Sequence, residues 1–239
     1  LPLDDPGTYG LLARGDLEGI FQLESSGMRQ IVRDLKPSSL EDISSILALY
    51  RPGPLDAGLI PKFINRKHGR EAIDFAHAKL EPILQETYGI MVYQEQVMQV
   101  LHHLGGIPLR EAYSIIKAIS KKKQDVINGA RAAFVKGAGE RGMDAQQADG
   151  LFDLILRFAG YGFNKSHSSG YAIVAYQTAY LKTYFPAQYM SAVLSFESQA
   201  RKIEEWSVYL DECRRAPWPD HEAARPHVGI EVRPPDLNL

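Results

Sequence analysis

A single cysteine, Cys213, stands among 239 residues, so no internal disulfide and no cysteine-based metal cluster can form. A reducing compartment fits best, and the expected location is cytoplasmic. Charge of one sign is not in excess either: 27 Lys and Arg face 29 Asp and Glu, a formal net charge of −2. That balance argues against a wholly basic nucleic-acid coat, so any polyanion surface must come from local clustering. Long apolar runs are missing; the longest, near Tyr171 to Leu181, is interrupted by Gln177 and Thr178 and is too short to span a bilayer. No membrane partner is expected. The opening Leu1-Pro2-Leu3-Asp4-Asp5-Pro6 carries no initiator Met, charged n-region or apolar h-region, and reads as the start of an internal piece of something longer.

Several chemical signatures are missing as well. There is no G-x-S-x-G elbow, and Ser166 and His167 are neighbours that project about 100° apart on a helix, which disfavours a nucleophile–base pair. His102, His103, His68, His77, His221 and His227 lack spacings such as H-E-x-x-H, so no metal site is expected here. Walker and Rossmann glycine signatures, internal repeats and low-complexity tracts do not occur. The acid pairs Glu204-Glu205 and Asp211-Glu212 read as solvated helical surface, and no catalytic carboxylate pair stands out.

What is present is a soluble globular composition, 45% hydrophobic and 23% charged, long enough for one large domain or two small ones. Helical periodicity dominates. Ser39 caps a pattern carried by Leu40, Ile43, Ile46, Leu47 and Leu49 that stops at Arg51-Pro52-Gly53-Pro54, a stiff turn that holds Arg51 in a defined place. Further helices are expected at about Tyr93–Leu104, Leu109–Ser120, Lys122–Arg141, Ala145–Phe158, Ser168–Tyr184, Ala187–Phe196 and Arg201–Arg215. Only Gly19-Ile-Phe-Gln-Leu-Glu24 reads as a strand. The expected fold is mainly α, a multi-helix domain over 1–215 with a short β element near the N-terminus. A proline-rich extended tail or linker over 216–239 follows, carrying Pro217, Pro219, Pro226, Pro234 and Pro235.

Between Asp153 and Glu197 there is no carboxylate, yet Arg157, Lys165 and Lys182 fall there with ten aromatic residues. Such a stretch is suited to meet something negatively charged. At its centre Gly160 and Gly162 loosen the backbone before Asn164-Lys165-Ser166-His167-Ser168, where Ser166 or Ser168 can cap the next helix. Backbone amides at a helix start, an ammonium and an imidazole together make phosphate the natural ligand; the bland alternative is an ordinary capped loop. Two further basic zones, Lys62 to Arg70 and Lys117 to Lys136, are candidate polyanion contacts or solvated helix faces. Tyr176, Tyr180 and Tyr184 recur every four residues and read as packing, whereas Tyr161 and Phe163 in the glycine loop are the better base-stacking candidates.

Taken in order, five segments resemble one family, the alpha subunit of bacterial DNA polymerase III, the C-family replicative polymerase. They are Gly19-Ile-Phe-Gln-Leu-Glu-Ser25, Leu49-Tyr-Arg-Pro-Gly-Pro-Leu55, Arg66-Lys-His-Gly-Arg-Glu71, Tyr88-Gly-Ile-Met-Val-Tyr-Gln-Glu-Gln-Val-Met98 and Phe158-Ala-Gly-Tyr-Gly-Phe-Asn-Lys-Ser-His-Ser168. The likeness runs from about Leu3 to Glu212, and Arg233-Pro-Pro-Asp-Leu-Asn238 resembles the family's exit from the same domain.

The resemblance implies that the chain is the helical fingers domain, which closes on the incoming deoxynucleotide and the templating base. By analogy Asn164, Lys165, Ser166 and His167 line the triphosphate pocket, with Arg51 a second candidate. Lys165 would neutralise the β- and γ-phosphates, and His167 would either hydrogen-bond the phosphates or assist proton delivery. Many members carry adjacent arginines where this chain has Ile116 and Lys117, so Lys117 is the remaining candidate for that contact. Lys121, Lys122 and Lys123 would hold template or primer phosphates, and Arg66, Lys67, Arg70, Tyr161 and Phe163 complete the expected DNA contacts.

The resemblance implies as partners primer–template DNA, dNTP, the palm and other domains of the same chain, and a sliding clamp that other regions would contact. Mg2+ would be held by palm aspartates outside this segment, so the segment alone is expected not to polymerise DNA. Two other classes stay open on the residues alone. A stand-alone helical nucleic-acid-binding module would bind DNA with no nucleotide requirement, and a structural interaction domain would not need Lys165.

Overall fold

The computed structural model describes residues 1–197, 206–216 and 229–233. Among them thirteen α-helices follow in chain order: α1 (Pro6–Arg14), α2 (Ser26–Leu35), α3 (Leu40–Leu49), α4 (Pro52–Asp56), α5 (Leu59–Lys67), α6 (Glu81–Leu84), α7 (Gln94–His103), α8 (Leu109–Ser120), α9 (Gln124–Gly139), α10 (Ala145–Ala159), α11 (Lys165–Tyr184), α12 (Pro186–Glu197) and α13 (Ser207–Arg215). The fold is mainly helical, as its periodicity predicts. The chain divides into two compact units, one made of residues 1–43 and 170–239, the other of residues 44–169.

In the first unit, α1 and α2 begin where side chains take up orphan helix amides. The Asp5 carboxylate accepts from Thr8 N, and the Ser25 hydroxyl accepts from Met28 N. The strand expected at Gly19–Glu24 does not form, and no strand occurs among the described residues. Instead the chain makes successive turns, Ile20 N donating to Leu17 O and Leu23 N to Ile20 O. Gly19 and Gln22 lie in the left-handed region (φ 76° and 62°). The apolar residues that turn inward, Leu17, Ile20 and Leu23, are spaced by three, and all are fully buried. A period of three over so short a stretch is easily mistaken for strand alternation.

The tyrosine row on α11 packs as expected. Tyr176 is buried with its ring 5.3 Å from that of Tyr9, and its hydroxyl donates to Pro2 O at 2.7 Å. The Tyr184 hydroxyl donates to Asp5 Oδ1 at 2.6 Å.

One acid departs from expectation. Glu212, read as solvated, is 3% exposed and accepts from Lys182 Nζ at 2.5 Å. The same ammonium donates to the carbonyls of Asp16 (2.9 Å) and Glu18 (2.8 Å), so its three protons are all used inside. Burial pulls the Lys182 pKa below that of an ordinary lysine, and Glu212 opposes that pull. Nearby, Arg29 pairs with Glu18. At the C-terminal end Ile230 N donates to Cys213 O at 2.6 Å, and Ile230 packs against buried Met190, Tyr209 and Cys213. Glu204-Glu205, the start of the helix expected from Arg201, the tail prolines, His221, His227 and Pro234 to Asn238 lie outside the described residues.

The second unit is a helical bundle in which α7, α8, α9 and α10 pack on one another. On α8 the buried residues Ala112, Ile115, Ile116 and Ile119 follow the i, i+3, i+4, i+7 rule and fix the inward stripe. Phe134 of α9 and Phe152 of α10 meet at 5.6 Å in the core. Two glycines set the closeness of α9 to the connection after α7. A Cβ on Gly137 would lie 1.9 Å from Gly105 O, and one on Gly105 would lie 2.3 Å from the Phe134 ring. The stop expected at Arg51-Pro52-Gly53-Pro54 is also a start: Pro52 occupies the first position of α4, where its missing N–H costs nothing.

Candidate functional site

The Asn164–Ser168 junction lies wholly in the second unit and is held by an isolated parallel bridge between Tyr93 and Phe163. Gln94 N donates to Phe163 O at 2.9 Å, and Phe163 N donates to Val92 O at 3.1 Å. Gly162 permits the approach, since a Cβ there would sit 3.0 Å from Gln94 Cγ and 3.3 Å from the Gln94 backbone.

The other side of the bridge is pinned by Gln96, which is 2% exposed. Its Oε1 accepts from Val92 N (2.9 Å) and Tyr93 N (3.0 Å), and its Nε2 donates to Thr87 Oγ1 (2.8 Å). Beneath, the buried Tyr93 hydroxyl meets Ser44 and Ser45 at 3.0 and 3.1 Å, and Ser44 meets Ser168 at 2.9 Å. Burial raises the Tyr93 pKa against the opposing effect of those hydroxyls, which keeps the phenol a neutral structural group. Ser168 is therefore inside the helix rather than its cap. Asn164 is the cap: its Oδ1 accepts from His167 N at 2.9 Å.

One cation stands over Phe163. Arg51 stacks over its ring at 4.8 Å, donates from Nε to Ala48 O at 2.7 Å and bonds Tyr161 O through a terminal nitrogen. Burial lowers the Arg51 pKa, although a guanidinium stays charged. The His167 ring lies 5.5 Å from Phe163 on the other side of the junction sequence. Tyr161 is 45% exposed, and its ring rests on Gly53, where a Cβ would come within 2.3 Å of it. Lys165 projects its ammonium to Glu86, at 2.8 and 2.6 Å from the two oxygens, with the Tyr93 ring 5.6 Å away. Glu95, in the first turn of α7, accepts from Asn164 Nδ2 and from Lys165 N, both at 3.0 Å.

The helix start that the sequence presents as carboxylate-free is thus met by two carboxylates from other segments. Tyr93, Glu95 and Gln96 fall inside the Tyr88–Met98 motif, but nothing in the sequence assigns them, or Glu86, to this junction.

The other expected contacts sit on different elements of the same unit. Lys117 lies on α8 with its ammonium 4.4 Å from the centre of the Tyr113 ring. Lys121, Lys122 and Lys123 are exposed between α8 and α9, Lys122 in the left-handed region (φ 53°). At the end of α5, Arg70 is exposed and Lys67 half-buried. Arg66 is turned inward, its guanidinium bonded to Glu71 and to Tyr88 O, both at 3.0 Å. No group of three or more His, Cys, Asp or Glu placed to hold a metal occurs among the described residues. No described helix is long and apolar enough to cross a membrane.

The family model for the bacterial DNA polymerase III alpha subunit finger domain matches residues 1–142, more than half of the chain. The chain belongs to that family. Over its full length it is also similar to DNA polymerase III subunit alpha of Helicobacter pylori (48% identical over 238 residues), Thermus aquaticus (46% over 244) and Escherichia coli K12 (42% over 243). It covers 100% of itself but only 18%, 19% and 20% of those relatives, so it spans about a fifth of their length. The Asn164–Ser168 junction of this finger-domain chain falls beyond the family match and within the alignments to DNA polymerase III subunit alpha.

Proposed function

We propose that this chain forms the fingers of a bacterial replicative DNA-directed DNA polymerase, and that its Asn164–Ser168 junction receives the triphosphate of the incoming dNTP. The observation that carries this reading is that Arg51 stacks over Phe163, two residues before Lys165 opens α11. It occurs in a chain that aligns throughout with DNA polymerase III subunit alpha. Lys165 neutralises charge on the β- and γ-phosphates as pyrophosphate departs, and Asn164 and Ser166 hold the phosphate oxygens. His167 hydrogen-bonds the phosphates or delivers a proton to them. Arg51, pre-set by its bonds to Ala48 and Tyr161, is the second cation, and Lys117 the third.

Template and primer phosphates fall to Lys121, Lys122, Lys123, Lys67 and Arg70, while exposed Tyr161 offers a stacking face for a base and Phe163 is the second stacking candidate. Arg66 supports the loop after α5 rather than contacting DNA directly. Acids of a palm outside this chain would hold Mg2+, which when bound would supply two-metal activation of the attacking and leaving oxygens. The chain alone therefore does not extend a primer, whereas the polypeptide that contains it does; the palm, the other domains and a sliding clamp are its partners there. Primer extension by that polypeptide tests the reading. Lys165→Ala is expected to lower kcat/KM for dNTP by about 10²-fold or more, the scale of losing one transition-state donor. Unchanged kinetics in a folded variant would contradict it.

A further inference from the structure

Lys165 is not held ready for an anion; it is already holding one. An ammonium has three protons, and the Glu86 carboxylate takes the ammonium through both oxygens, at 2.8 and 2.6 Å. Glu95 adds a second carboxylate at the same helix start, bonded to the Lys165 amide and the Asn164 side chain. Two carboxylates, Glu86 and Glu95, therefore meet Lys165 and its helix start, so the ammonium's charge is balanced before any ligand enters.

The Glu86–Lys165 pair is also the exchangeable part. The two side chains are 34% and 39% exposed, so each can reach water when the pair opens, and neither leaves a buried charge behind. Glu95 differs: it is bonded to main chain and cap, and it holds the junction in shape.

We propose that Glu86 is an internal competitor for the phosphate-binding ammonium of Lys165, and that nucleotide binding proceeds by handing Lys165 from Glu86 to the triphosphate. The idea rests on the proposed nucleotide-binding role of Lys165 and adds to it a residue that sets affinity. A triphosphate carries more charge than the carboxylate and displaces it; a lone monoanion gains little by exchanging one anion for another. Glu86 thereby acts through Lys165 as a positioning residue that holds the ammonium in place and weakens the capture of small anions.

The test measures binding of inorganic tripolyphosphate, and separately of a dNTP, by calorimetry on the full polypeptide that carries this segment. Wild type is compared with Glu86→Gln, Glu86→Asp, Lys165→Ala and the Glu86→Gln/Lys165→Ala double variant. Lys165→Ala is expected to weaken binding by about tenfold or more, the range of one charged hydrogen bond. Glu86→Gln is expected to tighten it by about two- to fivefold, the range of an exposed ion pair, with Glu86→Asp restoring wild-type affinity. The tightening should vanish in the double variant, which separates competition for Lys165 from a general field effect.

Outcomes distinguish the two ideas. If Lys165→Ala binds as wild type does, the nucleotide-pocket reading fails and this inference with it. If Lys165→Ala weakens binding but Glu86→Gln leaves it unchanged or weaker, Glu86 is structural and only the competition is overturned. Tightening that persists without Lys165 overturns it equally.

Discussion

Lys182 and Gln96 show what individual side chains contribute to the two units. Removing the ammonium in Lys182→Ala leaves Glu212 buried without its main partner and strands the carbonyls of Asp16 and Glu18. Loss of one member of such a pair costs about 3–5 kcal/mol, so urea denaturation should show a drop of that order. Gln96→Ala removes the acceptor of two buried amides and the donor to Thr87, at about 1–3 kcal/mol for each group left unsatisfied. Its unfolding midpoint should fall accordingly, and the Tyr93–Phe163 bridge should lose amide protection in hydrogen exchange. Neither role is legible in the sequence. The carboxylate-free stretch from Asp153 to Glu197 is a fact of sequence, but charges pair in space: Lys165 finds Glu86 at 79 residues' separation, and Lys182 finds Glu212 at 30. Asn164, Lys165 and His167 were legible as one cluster because adjacent residues at a helix start cannot be far apart.

At the scale of elements, long periodic segments read best. The expected range Leu109–Ser120 coincides with α8, and Ala145–Phe158 differs from α10 by one residue, because a continuous i, i+3, i+4 stripe leaves little freedom. Elements that no expected helix covered were the short α4 and α6, with five and four residues, and also α1, α2 and α5, with nine or ten, while the turns over 17–24 imitate a strand. Contacts between elements supply the next prediction. An alanine in place of glycine normally favours a helix by about 1 kcal/mol. At Gly137 the added Cβ would overlap the Gly105 carbonyl at 1.9 Å, and backbone must move. Gly137→Ala is therefore expected to destabilise by about 1–3 kcal/mol, the cost of overpacking, and a stabilised variant in urea titration would contradict the close approach.

For the whole molecule, the tyrosines make stability sensitive to alkali. The hydrogen bond to Asp5 raises the Tyr184 pKa from 10.0 to about 12, and burial raises those of Tyr9, Tyr176 and Tyr189. A group whose folded pKa is raised contributes stability that is complete below the unfolded value and disappears as pH rises through the folded one. Stability should accordingly fall between about pH 10 and 12, more steeply in wild type than in Tyr184→Phe, as measured by denaturant midpoints along the pH range.

Family membership is also a property of the whole chain, and it was legible because five motifs keep their order across more than 140 residues, which no single glycine loop could establish. The measurement that tests the central claim most directly is binding of this chain to a labelled primer–template over a range of salt concentrations, with and without the matching dNTP, for wild type and Lys165→Ala. The account predicts salt-sensitive binding that the correct nucleotide tightens in wild type and not in Lys165→Ala. Salt-sensitive binding that no nucleotide affects in either protein would contradict a triphosphate site at the start of α11 and leave a nucleic-acid-binding module in its place.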